Sequence, residues 1–440
     1  MSFRSLFFPL LACLLLGAVA CKKEKAVVLD DAQWIRDCNK KLTDVIVVDI
    51  FTPPVASRMY PYANVAAWEV LVQFNKGYKS MSGQLRGLDS IPQKPDKNNI
   101  DGLLAASIAF STVGQKAIYS EFEFDDFMKQ LQDRAAKAGL SEESIAESVE
   151  FGKKVASRIL CWQGKDQFKE TRAMARYTVS NDAAKWRPTP TEYMEAIEPN
   201  WGTMRSMTLD SASQFSKRIP VDYDDTNSKM FEEMAKHTKE ANDTLTAEHT
   251  EMALFWDDNP AVVQNVGHLK MVNKKTTPPG HWMNIVGQLT RDKGLKLMPT
   301  AEAYLLASIA VFDGVISCWY EKYKTETIRP VTYINERMDK SWRPVLQTPP
   351  FPEFISGHSV ISAAATTVLS NLLGGSLAFS DSTQVEYGLG IRSFPNLSSA
   401  AREAGISRVY GGIHFKPAID SGLDMGNSVG DYVLTKIKTK

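Results

Sequence analysis

Apolar residues recur every three or four positions over much of the chain, the period of an amphipathic helix. One helix is predicted to begin at Ser141, because Glu142 and Glu143 follow this N-cap residue and acidic side chains favour the positive end of the helix dipole. The apolar face of this helix consists of Ile145, Val149, Gly152, Ala156 and Ile159. Residues 120–138 and 227–255 have the same amphipathic character, which predicts further helices there.

Three later segments are apolar nearly all round, which is typical of helices buried at the centre of a fold. They are residues 301–321, 359–374 and 417–437. Strand-like alternation is scarce, and proline and glycine cluster instead in segments that we expect to be connectors. These segments are residues 187–190, 277–280 and 344–352. The sequence therefore predicts one all-α assembly.

The N-terminus has the pattern of an export signal. Arg4 provides a positive charge, an apolar stretch follows, and small residues lead up to Cys21. This ending resembles the cleavage box of bacterial lipoproteins, whose cysteine is lipidated; the alternative is an ordinary signal in which Cys21 has no role. We expect residues 1–20 to be the signal peptide, and the protein to be exported and lipid-anchored to the bacterial membrane, on its periplasmic or cell-surface face. Residues 26–290 are expected to form an N-terminal helical region and residues 291–440 a C-terminal helical core.

Composition excludes several classes of function. The 440 residues carry 51 Lys and Arg against 51 Asp and Glu. A protein with no net charge is not expected to bind nucleic acid. After residue 25 we expect no run apolar enough to cross a bilayer, which takes about 20 residues, so membrane contact is expected only through the lipid anchor. Cys38, Cys161 and Cys318 are widely spaced and predict neither a zinc site nor a disulfide framework.

The candidate chemistry lies in the C-terminal part, where cations, a hydroxyl and two histidines occur near predicted helix ends. These residues are Lys322, Arg329, Ser356, Gly357, His358, Arg408 and His414. Three cations can balance a highly charged tetrahedral anion such as phosphate or vanadate, and guanidinium groups suit its oxygens. A backbone N–H at the start of the 359–374 helix would favour the same anion. One histidine could bind or attack the central atom while the other moves a proton.

The order and spacing of these residues resemble a signature shared by vanadium-dependent haloperoxidases, type 2 phosphatidic acid phosphatases and related bacterial acid phosphatases. Its three parts are Lys322-x6-Arg329-Pro330, Ser356-Gly357-His358 and Ser407-Arg408-x5-His414. Weaker similarity to the haloperoxidase branch extends to residues 255–259 and 277–279. The resemblance implies a helical bundle of the haloperoxidase and acid phosphatase type, with the oxyanion site inside the C-terminal bundle.

The resemblance also implies how the anion would be held. Lys322, Arg329 and Arg408 would bind its equatorial oxygens. The Ser356 hydroxyl and the Gly357 amide would assist them. The implied cofactor is vanadate, and phosphate could occupy the same site.

The two histidines would have different roles. In a peroxidase His414 would be the axial vanadium ligand, and in a phosphatase it would attack phosphorus. His358 would be the acid–base in either reaction. The implied substrates are hydrogen peroxide and a halide, or phosphate esters.

Two features favour the haloperoxidase branch. The helical region before Lys322 is longer than in minimal phosphatases of the superfamily, and residues 349–354 are similar to the haloperoxidase entrance. Phe351 would tune halide reactivity there, or it is simply a core aromatic residue. We expect a vanadate-dependent haloperoxidase that oxidises iodide or bromide. The alternatives are an acid phosphatase acting on phosphomonoesters or lipid phosphates through a phosphohistidine, and a non-catalytic surface binding lipoprotein.

Two positions depart from the family pattern. Ile355 replaces the usual proline before Ser-Gly-His, and Ala418 stands where an acid commonly holds the axial histidine. Asp420, or a backbone carbonyl, is expected to take the place of that acid.

Two further sets of residues have open assignments. Asp257 or Asp258 could pair with Arg408, or both could face solvent beside a helix end. His281, which follows a Pro-Pro-Gly segment, could line the entrance to the site.

Overall fold

The computed structural model describes residues 28–96, 99–216, 222–266 and 269–440. The predicted signal peptide and Cys21 lie outside these residues. Within them the chain forms 14 α-helices and two antiparallel hairpins of short strands. The prediction of an all-α fold is confirmed.

The first eight helices precede the first hairpin. They are α1 (Gln33–Val48), α2 (Pro53–Leu71), α3 (Gly102–Gln115), α4 (Phe122–Lys137), α5 (Glu142–Gln163), α6 (Phe168–Ala173), α7 (Lys229–Asp243) and α8 (Ala247–Phe255). The hairpin that follows consists of β1 (Ala261–Val266) and β2 (Leu269–Lys274), with Ala261 opposite Lys274.

The remaining six helices follow this hairpin along the chain, and a second, smaller hairpin lies among them. They are α9 (Pro278–Asp292), α10 (Leu297–Thr325), α11 (Pro330–Arg337), α12 (Gly357–Leu373), α13 (Leu397–Tyr410) and α14 (Lys416–Lys436). The hairpin lies between α12 and α13, and its strands are β3 (Phe379–Asp381) and β4 (Arg392–Phe394).

Helix α10 is the centre of the fold. Nearly all of its residues are buried, and it packs against α2, α9, α12 and α14. Contrary to the expectation from sequence, α10 is long and apolar enough to cross a membrane, but its whole apolar window is buried inside the protein. The helix is therefore a core element of the fold, and Lys322 in its last turn is also buried.

Helices α12 and α14 approach closely because α14 presents glycine where they meet. A Cβ atom at Gly426 would lie 2.4 Å from the Val360 carbonyl oxygen, and one at Gly430 would lie 2.7 Å from the Thr367 Cβ. Gly422 faces Ser359 in the same way. This contact fixes the start of α12 relative to the start of α14.

Two segments differ from their predicted structure. Residues 227–255 form two helices, because Thr246 caps α8 by accepting a hydrogen bond from the His249 amide and so starts a new helix after α7. The predicted connector at 277–280 is instead the start of α9. Thr277 caps that helix, and Pro278 suits its first turn because proline has no N–H to leave unpaired. The connectors at 187–190 and 344–352 lie outside helices and strands, as predicted.

Substituting Gly426 with alanine tests the close contact between α12 and α14. The added methyl group would overlap a backbone oxygen that cannot rotate away, so we expect the free energy of unfolding to fall by about 1–3 kcal/mol. Urea titration measures the change. The control is Gly375→Ala, an exposed position with no atom within 4 Å of the added Cβ. Equal stability of the two variants would contradict the packing described.

Candidate active site

Helix ends converge on one buried point, and each carries part of the predicted signature. The residues are Lys322 in the last turn of α10, Arg329 just before α11, Ser356 just before α12, Gly357 and His358 in the first turn of α12, Arg408 in the last turn of α13, and His414 just before α14. The structure brings all seven residues together. The three cationic side chains are completely buried.

Several polar atoms at this point have no partner among the described residues. They are two guanidinium nitrogens, Arg329 Nη2 and Arg408 Nη1, together with His358 Nε2 and the Glu353 oxygen Oε2. The other nitrogens of both guanidinium groups are bonded: Arg329 Nε donates to the Phe351 carbonyl (2.9 Å), and Arg408 Nη2 donates to the Ala253 carbonyl (2.9 Å). A buried donor without an acceptor is costly, so each unused N–H marks the position of an acceptor that the protein does not provide.

Ser356 and the first turn of α12 supply further donors. The Ser356 hydroxyl oxygen accepts hydrogen bonds from the Ser359 amide (3.3 Å) and hydroxyl (3.0 Å), which leaves its own proton to donate. The first amides of α12 have no acceptor within the helix, and the helix dipole adds positive potential there. The donor set therefore fits vanadate or phosphate, whose oxygens accept hydrogen bonds.

His414 is held by a carboxylate that the sequence analysis did not assign. Its Nδ1 lies 2.7 Å from Glu353 Oε1, and that oxygen also accepts the Phe415 amide (2.9 Å). With the proton on Nδ1, the lone pair is on Nε2, which lies 3.2 Å from Arg329 Nη1 at the anion site. Glu353 thus fixes the orientation of the His414 ring, with Nε2 directed at the Arg329 guanidinium group.

The environment of the site favours the neutral forms of the two histidines and disfavours the charged forms of the lysine and the two arginines. Burial, together with the neighbouring cations, lowers the pKa of His358 and of His414 well below the usual range. Burial lowers the pKa of Lys322 to about 7, and that of Arg329 and of Arg408 to about 10. A bound anion would counter this loss of hydration.

A cavity of about 200 Å³ opens onto this point. Its floor includes His358, Arg408 and His414, and its walls are largely apolar. Phe351 lies in the wall, half-buried, with its ring centroid 4.9 Å from Lys322 Nζ and 5.0 Å from Arg329 Cζ. Phe351 is therefore a lining residue that covers two of the cations.

Asp257 and Asp258 are both buried, at 8% and 4% exposure, and do not face solvent. Neither forms a direct ion pair with Arg408 in the described structure, although both charges counteract the lowering of its pKa. Asp257 instead bonds Lys275 at 3.0 Å. Asp258 Oδ2 lies 3.8 Å from His358 Nε2, within the same cavity wall.

Two predicted residues lie elsewhere than expected. Asp420 is exposed and bonds Lys416 at 2.6 Å, one turn away on α14, so it does not hold His414. Positions 416 and 420 lie one turn apart on the same exposed face of α14, so this side chain points to solvent. His281 does not line the entrance, because α9 carries it into the core, where it is completely buried.

The sequence did contain a signal for Glu353. This glutamate is the one charged residue in the stretch 349–355, among prolines and aromatic residues. A lone carboxylate in an apolar segment beside a predicted active-site motif calls for a buried partner. Its pairing with His414, which is 61 residues later, depends on the tertiary fold.

Comparisons with known proteins agree with this geometry. Residues 302–440 match the family model described as the VCPO second helical-bundle domain. None of the curated proteins compared with the chain matches it.

Three solved structures are similar over most of their length. The structure of a bacterial vanadium-dependent iodoperoxidase is 38% identical, with a TM-score of 0.88, and the match covers 94% of this chain and 98% of that one. A holo-type bacterial vanadium-dependent chloroperoxidase is 18% identical (TM-score 0.70, 93% and 98% covered). An apo-type bacterial chloroperoxidase is 16% identical (TM-score 0.66, 88% and 95% covered). The last two show the shared fold.

The identity to the iodoperoxidase extends over nearly the whole of both chains, and the residues predicted to bind an oxyanion lie together at one buried site. Together, these findings show that the chain belongs to the vanadium-dependent haloperoxidase family.

Proposed function

We propose that this haloperoxidase binds vanadate at the site described and oxidises iodide or bromide with hydrogen peroxide. For iodide, the balanced reaction converts hydrogen peroxide, iodide and one proton into hypoiodous acid and water. The observation that carries the proposal is that two buried donors, Arg329 Nη2 and Arg408 Nη1, and the nearby His358 Nε2 have no partner among the described residues. When bound, vanadate supplies the electron-poor centre that activates hydrogen peroxide towards a halide.

Residues of the chain would bind the anion and orient its histidine ligand. Lys322, Arg329 and Arg408 would hold the oxygens of the anion and balance its charge. His414 would contact the anion through Nε2, and its neutral form is the one able to do so, since protonation would remove the lone pair. Glu353 would keep that lone pair directed at the site.

His358 would move the proton. Its Nε2 lines the cavity and has no partner among the described residues, and the lowered pKa of the ring means that it is neutral at neutral pH. The lone pair of this nitrogen would accept a proton from hydrogen peroxide. The same nitrogen would return a proton to the oxygen that leaves as water or hypohalous acid. The apolar cavity wall would limit access of bulk water to this exchange.

The cavity also favours iodide or bromide over a more strongly hydrated halide. A halide must lose water to pass the apolar wall and Phe351, and this cost is smallest for iodide. The similarity to a structure described as an iodoperoxidase supports the same choice.

Acid phosphatase activity is the second candidate, and the Glu353–His414 bond favours it. A phosphatase needs an oriented, basic histidine, and Glu353 provides the acid that is missing at Ala418. His414 Nε2 would then attack the phosphorus of a phosphomonoester or lipid phosphate. Steady release of phosphate from p-nitrophenyl phosphate, blocked by vanadate, would support this candidate. A surface binding module is disfavoured, because the cations and His414 are buried.

The first test is halide oxidation. The purified protein, incubated with orthovanadate, should oxidise iodide in the presence of hydrogen peroxide, measured as triiodide absorbance. His358→Ala should lower kcat by about 100-fold or more, the usual contribution of a general acid–base. His237→Ala, at an exposed histidine on α7, is the matched control and should leave kcat unchanged. If the vanadate-loaded protein oxidises neither iodide nor bromide, the proposal is wrong.

The second test concerns Glu353. Glu353→Gln should weaken orthovanadate binding by about 10- to 100-fold, the usual cost of losing a residue that orients a ligand. Equilibrium dialysis with vanadium analysis measures this affinity. Asp420→Asn removes an exposed acid near the same histidine in sequence and should bind vanadate as the wild type does. Equal affinities in both variants would exclude Glu353 as the orienting group.

We also propose that the protein is an exported lipoprotein, which is supported by the sequence of residues 1–25 alone. Cys21→Ser should move the protein from the membrane fraction to the soluble exported fraction, because one acylation site is removed. Fractionation followed by immunoblotting measures the distribution. An unchanged distribution would show that Cys21 is incidental.

A further inference from the structure

A line of buried charged side chains extends from His358 away from the anion site. His281 on α9 is completely buried, and its Nδ1 lies 3.0 Å from both carboxylate oxygens of Asp258. On the other side of the ring, Nε2 lies 2.9 Å from Asp381 Oδ2 on β3. The imidazole is therefore clamped between two carboxylates from different parts of the chain.

This geometry determines the protonation state of His281. A neutral imidazole has one N–H and one acceptor nitrogen, so it can donate to only one of two carboxylates. A doubly protonated ring donates to both. Burial by itself lowers the pKa of His281, but the charges and hydrogen bonds of Asp258 and Asp381 outweigh it and raise the pKa to about 10.

Aromatic packing supports a cation at this position. The Trp256 ring stacks on the imidazole, with 4.7 Å between ring centroids and 29° between planes. The negative face of an indole stabilises a cation placed over it. The backbone of Trp256 also accepts a hydrogen bond from His358, so the same residue contacts both histidines.

We call Asp258, His281 and Asp381 the clamp. Asp258 is its member at the cavity. Its carboxylate is held by His281 and by the Gln384 amide, which donates to Oδ1 at 3.2 Å. Its backbone has a φ of +45°, a conformation that non-glycine residues seldom adopt outside tightly constrained sites. At the far end, Asp381 Oδ1 accepts the Thr383 amide at 2.8 Å, so the small β3–β4 hairpin anchors the line.

We propose that His281 and Asp381 are positioning residues for catalysis, which hold the Asp258 carboxylate at a fixed distance from His358 Nε2. This inference rests on the proposed function, in which His358 accepts a proton. Two carboxylates and one imidazolium carry one net negative charge, which would offset the positive charge that His358 gains. That offset is needed because Arg408, His281 and Lys322 all oppose the protonation of His358, so the two carboxylates must outweigh the charge of His281 as well.

The kinetic test uses Asp381→Asn, which keeps the size of the side chain but removes its charge. With vanadate bound, we expect kcat for iodide oxidation to fall about 10-fold, while the KM for iodide and the vanadate affinity change by less than twofold. His281→Asn should behave in the same way. The matched control is Asp313→Asn, a buried carboxylate on α10 that accepts the Met207 and Thr208 amides; its kcat should remain within twofold of the wild type.

The spectroscopic test needs neither vanadate nor halide. The chain has six histidines, so ¹⁵N-histidine labelling gives few signals to assign. We expect His281 to carry protons on both ring nitrogens from pH 6 to pH 9, and a neutral ring to appear within this range in Asp381→Asn. This measurement reports the protonation state of His281 directly, so it tests the inference without relying on the activity of any variant.

The outcomes separate the inference from the proposed function. An inactive wild type would refute the proposed function. An active wild type with a neutral His281, or with unchanged kcat in both clamp variants, would overturn the inference. Loss of kcat in parallel with loss of vanadate affinity would also overturn it, because it would indicate a collapsed anion site.

Discussion

The structure depends on the burial of three cations, none of which pairs directly with a carboxylate in the part of the chain that the structure describes. Lys322, Arg329 and Arg408 are completely inaccessible to solvent, and their pKa values are lowered because burial removes their hydration. Such an arrangement is unfavourable unless an anion with several acceptor oxygens completes it. Under the proposed function, burial of these cations lowers the stability of the fold, and binding of a highly charged oxyanion would offset that loss.

The rest of the fold holds those cations in place. Helix α10 is buried all round, so its last turn can carry Lys322 into the interior. The glycines of α14 let α12 approach, and the Ser356 amide then donates to the Ala418 carbonyl at 3.2 Å, which joins the starts of these two helices. The nearby carboxylates contact the two histidines and not the cations themselves. Glu353 acts through His414, and Asp258 lies beside His358.

Much of this could be predicted from the sequence. Helix α5 and its cap at Ser141 followed from local periodicity, and the buried helices followed from their apolar composition. The seven signature residues were identifiable because their order and spacing resemble the signature of a known family, and the structure places them at helix ends. Local features of this kind are encoded within a few turns of chain.

The partners of those residues could not be predicted, because they are set by tertiary contacts. Asp420 has the right spacing from His414 but points outward on α14, whereas Glu353 reaches the histidine from a loop 61 residues earlier. The proline-rich segment before His281 left its position at the entrance open, yet that segment begins a buried helix. Its partner Asp381 lies 100 residues away, on a hairpin with no sequence signal of function.

The most direct measurement of the central claim is an anomalous X-ray map of a crystal soaked in orthovanadate. The account predicts one vanadium peak beside His414 Nε2, with its oxygens within hydrogen-bonding distance of Arg329 Nη2 and Arg408 Nη1. A map with no peak at this position, or with vanadium bound only at the surface, would contradict it.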